Sequence, residues 1–119
     1  MKKTLILGAT TSPERYAYLA AQRLTAQGHS IVPVGIKKGE VFGCEILNTQ
    51  ELQSAIHTVT LYVAPPNQTA WYDYILNTQP KRIIFNPGTE NPELQQLAEA
   101  RGIETLEACT LVMLSTGQY

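Results

Sequence analysis

The chain has no apolar run long enough to cross a bilayer: its hydrophobic residues, 44% of 119, are interrupted throughout by glycine, proline or charge. With 16% charged residues this is the composition of a soluble globular protein, and a membrane protein is excluded. The amino terminus, Met1-Lys2-Lys3-Thr4-Leu5-Ile6-Leu7, starts like a secretory signal, but the apolar stretch breaks at Gly8, and Glu14 and Arg15 follow. It reads as the first strand of a cytoplasmic protein. Cysteine is scarce: Cys44 and Cys109 can pair only once, and reduced thiols are the expectation in the cytosol. No Cys-x-x-Cys or Cys/His spacing points to a metal. Excess charge is missing too, since the net charge is −1 and the basic pair that stands out, Lys37-Lys38, is short, which argues against a nucleic-acid surface. Asp73 is the only aspartate and falls in an expected helix, so the acidic cluster of a phospho-accepting receiver domain is absent. There is no G-x-S-x-G elbow and no HExxH pattern.

What the sequence does contain is an alternation of short apolar runs and amphipathic segments, enough for one α/β domain over residues 1–119. Lys3 to Leu7 is the kind of run buried on both faces of a parallel sheet. Ser12 as N-cap and Pro13 at the first helical position predict a helix burying Ala17, Ala20, Ala21 and Leu24 and ending at Gly28. Ser30 to Val34 reads as the second strand, followed by a loop holding Gly35, Gly39 and Gly43. Asn48 with Glu51 resembles a capping box and predicts a short helix carrying Leu52 and Ile56, and Glu45 to Leu47 is a candidate short strand. Thr58 to Val63 reads as a central strand stopped by Ala64-Pro65-Pro66, and Asn67 to Asn77 as a helix. Arg82 to Phe85 and Ile103 to Leu106 complete the strands, separated by a helix that Pro92 opens after Asn91 and that buries Leu94, Leu97 and Ala98. The expectation is a Rossmann-like, open, doubly wound, mostly parallel sheet of five or six strands with helices on both faces. The apolar tail from Thr110 to Tyr119 should pack on the sheet or on a second subunit, the former being simpler.

Ligands of such sheets bind beyond the strand carboxyl ends, where the segments 8–12, 35–43, 64–67 and 86–91 all fall. Amide groups and the positive end of a helix dipole make the turn Gly8 to Pro13 an anion site, to which Thr10, Thr11 and Ser12 add hydroxyls. Against the dinucleotide pattern G-x-G-x-x-G only Gly8 matches, with Thr10 and Pro13 in the other two places. An NAD site would want a carboxylate after the second strand, where this chain has Val34-Gly35-Ile36-Lys37-Lys38. Cations there favour a ribose that bears its own phosphate, as in coenzyme A (CoA) or NADP.

Four segments in this order resemble a known family: Leu7 to Tyr16 with Gly8-Ala9-Thr10-Thr11-Ser12, the strand Ile31 to Val34 with its Lys and Gly loop, Tyr62 to Pro66, and Arg82 to Gly88. The chain is similar to the small stand-alone CoA-binding proteins and to the amino-terminal CoA-binding domain of the succinyl-CoA synthetase α subunit. Many members carry Asn-Pro where this chain has Gly35-Ile36. The resemblance implies that Gly8, Ala9, Thr10, Thr11 and Ser12 hold the phosphates and that Arg15 and Lys37 or Lys38 neutralise them. It also implies that Ala64, Pro65 and Pro66 wall the adenine, and that the segment from Asn86, Pro87 and Gly88 to Asn91 borders the pantetheine path or supports the neighbouring turn.

No catalytic constellation accompanies these residues. The synthetase's phosphorylated histidine belongs to a domain this chain lacks, and His29 and His57 read as helix-terminal or exposed, well placed if charged. Tyr16, Tyr18, Tyr72 and Tyr74 read as packing or surface residues and Glu90 as a helix cap, while Cys109 is a candidate for a mixed disulfide with the CoA thiol. The leading expectation is a non-catalytic module that binds CoA or an acyl-CoA and senses it or presents it to a partner. The rivals are an NADP(H)-binding redox sensor or oxidoreductase component, a detached acyl-CoA synthetase subunit, and a structural interaction protein. A homodimer is compatible with each.

Overall fold

The computed structural model describes residues 1–119. Strands β1 (Thr4–Leu7), β2 (Ile31–Val34), β5 (Thr58–Leu61), β6 (Arg82–Phe85) and β7 (Glu104–Glu107) form one parallel sheet in the order β2-β1-β5-β6-β7. Between β2 and β5 in the chain, β3 (Glu40–Val41) and β4 (Cys44–Glu45) make a small antiparallel hairpin. The expected sixth strand at 45–47 is reduced to one parallel bridge from Leu47 to Val34 on the outer edge of β2. Counting that remnant as a third strand restores the Rossmann order and places the topological switch between β1 and β5.

Alternation along β1 explains the two cores. Leu5 and Leu7 face a cluster with Val59, Ile83 and Phe85, covered by α2 (Tyr72–Thr78) and α3 (Pro92–Glu99). Ile6 faces the other way, with Ile84, onto α1 (Tyr16–Ala26) and α4 (Thr110–Ser115). Because both faces are covered, β1, β5 and β6 are buried at every position. The tail packs on its own fold: α4 lies against α1, and Tyr119 is buried, its ring 4.4 Å from the Arg82 guanidinium and its main-chain oxygen accepting from Lys2 Nζ at 2.6 Å and Arg82 Nη2 at 3.3 Å.

Local chemistry moved several boundaries. Helix α1 begins at Tyr16 rather than Pro13, because the Arg15 N–H bonds the Ser12 carbonyl at 3.1 Å and closes a turn with Pro13 at its second position. The Asn48–Ile56 helix does not form. Asn48 Nδ2 instead donates to the carbonyls of Gly35 and Lys37, both at 2.7 Å, and Ala55 takes a left-handed φ of 59°. Of the two apolar residues assigned to it, Ile56 is buried and Leu52 exposed. The helix expected from Asn67 splits into 3-10 turns at Pro65–Asn67 and Thr69–Trp71 ahead of α2. Between those turns Gln68 turns fully inward and donates to Val63 O and Thr89 O at 2.8 Å each. Helix α3 starts as its sequence dictates, with Asn91 Oδ1 accepting from the amides of Glu93 and Leu94, but Leu97 is exposed. Glu90 does not cap it and instead accepts from Gly88 N.

The histidines also correct the expectation that they are well placed when charged. Burial first, then the nearby amino terminus, Lys2 and Arg82, lower the pKa of His29, whose Nδ1 accepts from Lys2 N at 2.9 Å. Burial, then Arg82, Lys2 and Lys81 lower that of His57, against a weaker opposite pull from Glu104. A depressed pKa means that the fold prefers the neutral imidazole, so this stability is present above the ordinary value near 6.5 and falls as the pH drops through the folded value. The Tm is therefore expected to fall on acidification from about pH 7 to 5. Replacing both histidines with Gln should flatten that limb; an unchanged slope in thermal melts would refute the assignment.

Candidate functional site

A cavity of about 500 Å³ opens over the switch between β1 and β5, within the size range of small-molecule sites. Its floor is the turn after β1. Gly8 sits there at φ 98°, and a Cβ on it would lie 2.9 Å from the Tyr62 carbonyl oxygen, so the ends of β1 and β5 approach as closely as they do only because this residue is glycine. Val34 O accepts from the amides of Gly8 (2.9 Å) and Ala9 (3.1 Å), and Thr10 Oγ1 accepts from Ser12 N (3.2 Å). The amides of Thr10, Thr11, Tyr16 and Ala17 have no acceptor within the chain. Helix α1 has the extended Arg15 as N-cap, no side-chain cap and no acidic residue in its first turn, so the positive end of its dipole is uncompensated.

The second wall is the loop after β2. Asn48 holds its base through Gly35 and Lys37, Gly39 passes directly over Thr11, and the Phe42 ring lies 5.1 Å from Tyr18. This arrangement brings Ile36 and Lys37 to the cavity. Across from it stand Tyr62, Val63, Ala64 and Asn67, and the third side is Pro87, Gly88 and Thr89. The buried amide of Gln68 ties these two sides together, and Asn91 Nδ2 donates to its Oε1 at 2.9 Å. With Arg15 and Lys37 in the wall and no carboxylate, the site is built to receive an anion.

The structure thus gathers Gly8, Ala9, Thr10, Ser12, Arg15, Lys37, Ala64, Pro87 and Gly88 around one cavity. Thr11 lies beneath Gly39, Lys38 is exposed outside the wall, and Pro65 and Pro66 begin the 3-10 turn behind Ala64. Asn86 does not reach the cavity. It is 2% exposed, donating to Thr60 Oγ1 (2.7 Å) and Leu61 O (2.8 Å) and accepting from Thr110 N (2.9 Å). Sequence reasoning placed Ile36, Asn67 and Thr89 at the ligand edge only as parts of their loops, and it missed Tyr16, Ala17, Tyr62 and Val63 in the wall and Asn48 and Gln68 behind it. Tyr16 carried a usable signal, since it follows the suspected turn; the inward Gln68 carried none.

The Tyr62 Oη is buried without a hydrogen-bond partner, and burial pushes its pKa up to about 12; the neighbouring Thr60 and Thr110 hydroxyls bond each other at 2.8 Å and offset this only in part. Cys109 is a free, half-buried thiol at the N-cap position of α4; it makes no capping hydrogen bond and does not line the cavity.

Residues 2–115 match the model of a family described as CoA binding domain. No curated protein matches the chain. Among solved structures, an uncharacterized protein is 57% identical, with a TM-score of 0.98, over 100% of this chain and 98% of its own. A hypothetical protein from Pyrococcus horikoshii OT3 is 25% identical, with a TM-score of 0.88, over 97% of this chain and 82% of its own. A Thermus thermophilus protein at 22% identity and a TM-score of 0.88, over 99% of this chain and 90% of its own, shares the fold.

Proposed function

Since the chain belongs to the CoA binding domain family, we propose that its switch-point cavity holds CoA or an acyl-CoA without chemistry of its own. The observation that carries this reading is the open amino terminus of α1, with Arg15 and Lys37 converging on a wall that has no carboxylate. In the proposed complex the diphosphate lies on the free amides of Thr10, Thr11 and the first turn of α1, beside Arg15. Lys37 meets the ribose phosphate, and Ala64, backed by Pro65 and Pro66, gives the adenine a rigid apolar face. The pantetheine arm leaves past Pro87 and Gly88. In this reading the domain serves as a cytoplasmic holder that senses CoA or presents it to a partner.

A thermal-shift panel of CoA, dephospho-CoA, NAD and NADPH tests this. At a hundredfold excess over Kd, CoA should stabilise by about 2.7 kcal/mol, a Tm rise of roughly 8–10 °C. Lys37→Ala should weaken CoA about tenfold and erase most of its advantage over dephospho-CoA, whereas Lys38→Ala should do much less. A stronger response to NADPH than to CoA would transfer the site to the dinucleotide, and equal effects of the two lysine variants would remove Lys37 from its assigned role.

A further inference from the structure

A second and larger cavity, of about 710 Å³, lies at the opposite edge of the sheet, among the segments that lead into β1, β5 and β6. Positive charge is in excess there, although Lys2 Nζ and Arg82 Nη2 both donate to the main-chain oxygen of Tyr119, the last residue. Lys2, Lys3, Lys81 and Arg82, four of the nine Lys and Arg residues, gather at this edge with both histidines. Lys3, Lys81 and His57 line the cavity, and no carboxylate does. The only carboxylate whose field is felt at His57, Glu104, acts on it less than Arg82, Lys2 and Lys81 do.

The backbone adds a second, independent feature. The amides of Ser54, Ala55 and Ile56 have no acceptor within the chain, and all three residues line this cavity. Ile56 as a residue is only 4% exposed, and its N–H has no protein partner, an uncommon condition for a largely buried residue. Ala55 takes a left-handed φ of 59°, and Lys3 Nζ holds the segment by donating to Ser54 O at 2.9 Å. Successive free amides next to a left-handed residue form a concave donor set that suits an anion.

We propose that this amino-edge cavity is a second binding site, specific for a phosphate dianion, free or carried on a small molecule as a monoester. The Ser54–Ile56 amides bind the phosphoryl oxygens, with Lys3 and Lys81 supplying the opposing charge. The site is separate from the switch-point cavity and shares no lining residue with it.

The test is an amide-resolved NMR titration of the whole chain with inorganic phosphate and, in a second arm, glycerol 3-phosphate, both at constant ionic strength. Saturable shifts at Ala55, Ile56 and Lys81 are expected in both arms if phosphate alone is recognised, and tighter binding in the second arm if a monoester is. The exposed Lys81→Gln should weaken binding about tenfold, and Lys3→Gln at least as much. CoA binding in Lys81→Gln should be unchanged, which separates this site from the other one. Shifts confined to the Gly8–Ser12 turn, no saturation, or affinity unaltered in Lys81→Gln would each overturn the proposal.

Discussion

Gly8→Ala should cost about 2–4 kcal/mol of stability, lower the Tm by roughly 10 °C, and weaken CoA binding at least tenfold in calorimetric titration. Two effects combine. Alanine at φ 98° is strained, and its Cβ would meet Tyr62 O at 2.9 Å and Val63 Cγ2 at 3.1 Å. To relieve that contact the ends of β1 and β5 must separate, which strains the Tyr62 N to Leu7 O bond (2.9 Å) and the two amide bonds to Val34 O. The floor of the cavity moves with them. Gly28 is the natural control: its φ of 86° is similarly left-handed, but a Cβ there meets nothing within 4 Å. Gly28→Ala should therefore cost only about 1 kcal/mol and leave binding alone. Equal losses in the two variants would mean that the close approach of the strand ends is not what Gly8 provides.

Asn86→Ala has a larger effect on stability and the opposite signature on binding. The side chain fills three hydrogen bonds among Thr60, Leu61 and Thr110, joining β5 and β6 to the start of α4. Removing it leaves the Leu61 carbonyl and the Thr110 amide unpaired where no water reaches, at a cost of about 3–5 kcal/mol, a large part of the 5–15 kcal/mol typical of a domain. Urea unfolding should show this as a lower midpoint with an unchanged slope. Because Asn86 does not reach the cavity, CoA affinity of the folded variant should stay within about twofold of the original. A selective loss of affinity with stability intact would return Asn86 to the ligand.

These two residues also mark what the sequence could reveal. Continuous apolar runs such as Leu5 to Leu7 and Ile83 to Phe85 are the mark of strands buried on both faces, so the parallel sheet and its two covered faces were legible. So was α3, because Asn91 and Pro92 act on their immediate neighbours. The residues that misled do their work at a distance. Asn48 and Glu51 have capping-box spacing, yet the Asn48 amide bonds carbonyls 13 and 11 residues earlier, and Gln68 bonds Thr89 21 residues later. Such partners leave no periodic trace. The placement of the site followed from the chain order of strands and loops, but its side-chain detail did not. Lys37 and Lys38 are indistinguishable as letters, and only the stapled loop turns one of them to the cavity.

The central claim is that the turn after β1 and the open end of α1 receive the CoA diphosphate, and a crystal structure with CoA at saturating concentration addresses it most directly. The account predicts diphosphate oxygens within 3.2 Å or so of the Thr10, Thr11 or first-turn α1 amides, with Lys37 on the ribose phosphate. CoA lodged at the amino edge, or held at the carboxyl edge with its phosphates turned away from that turn, would contradict it.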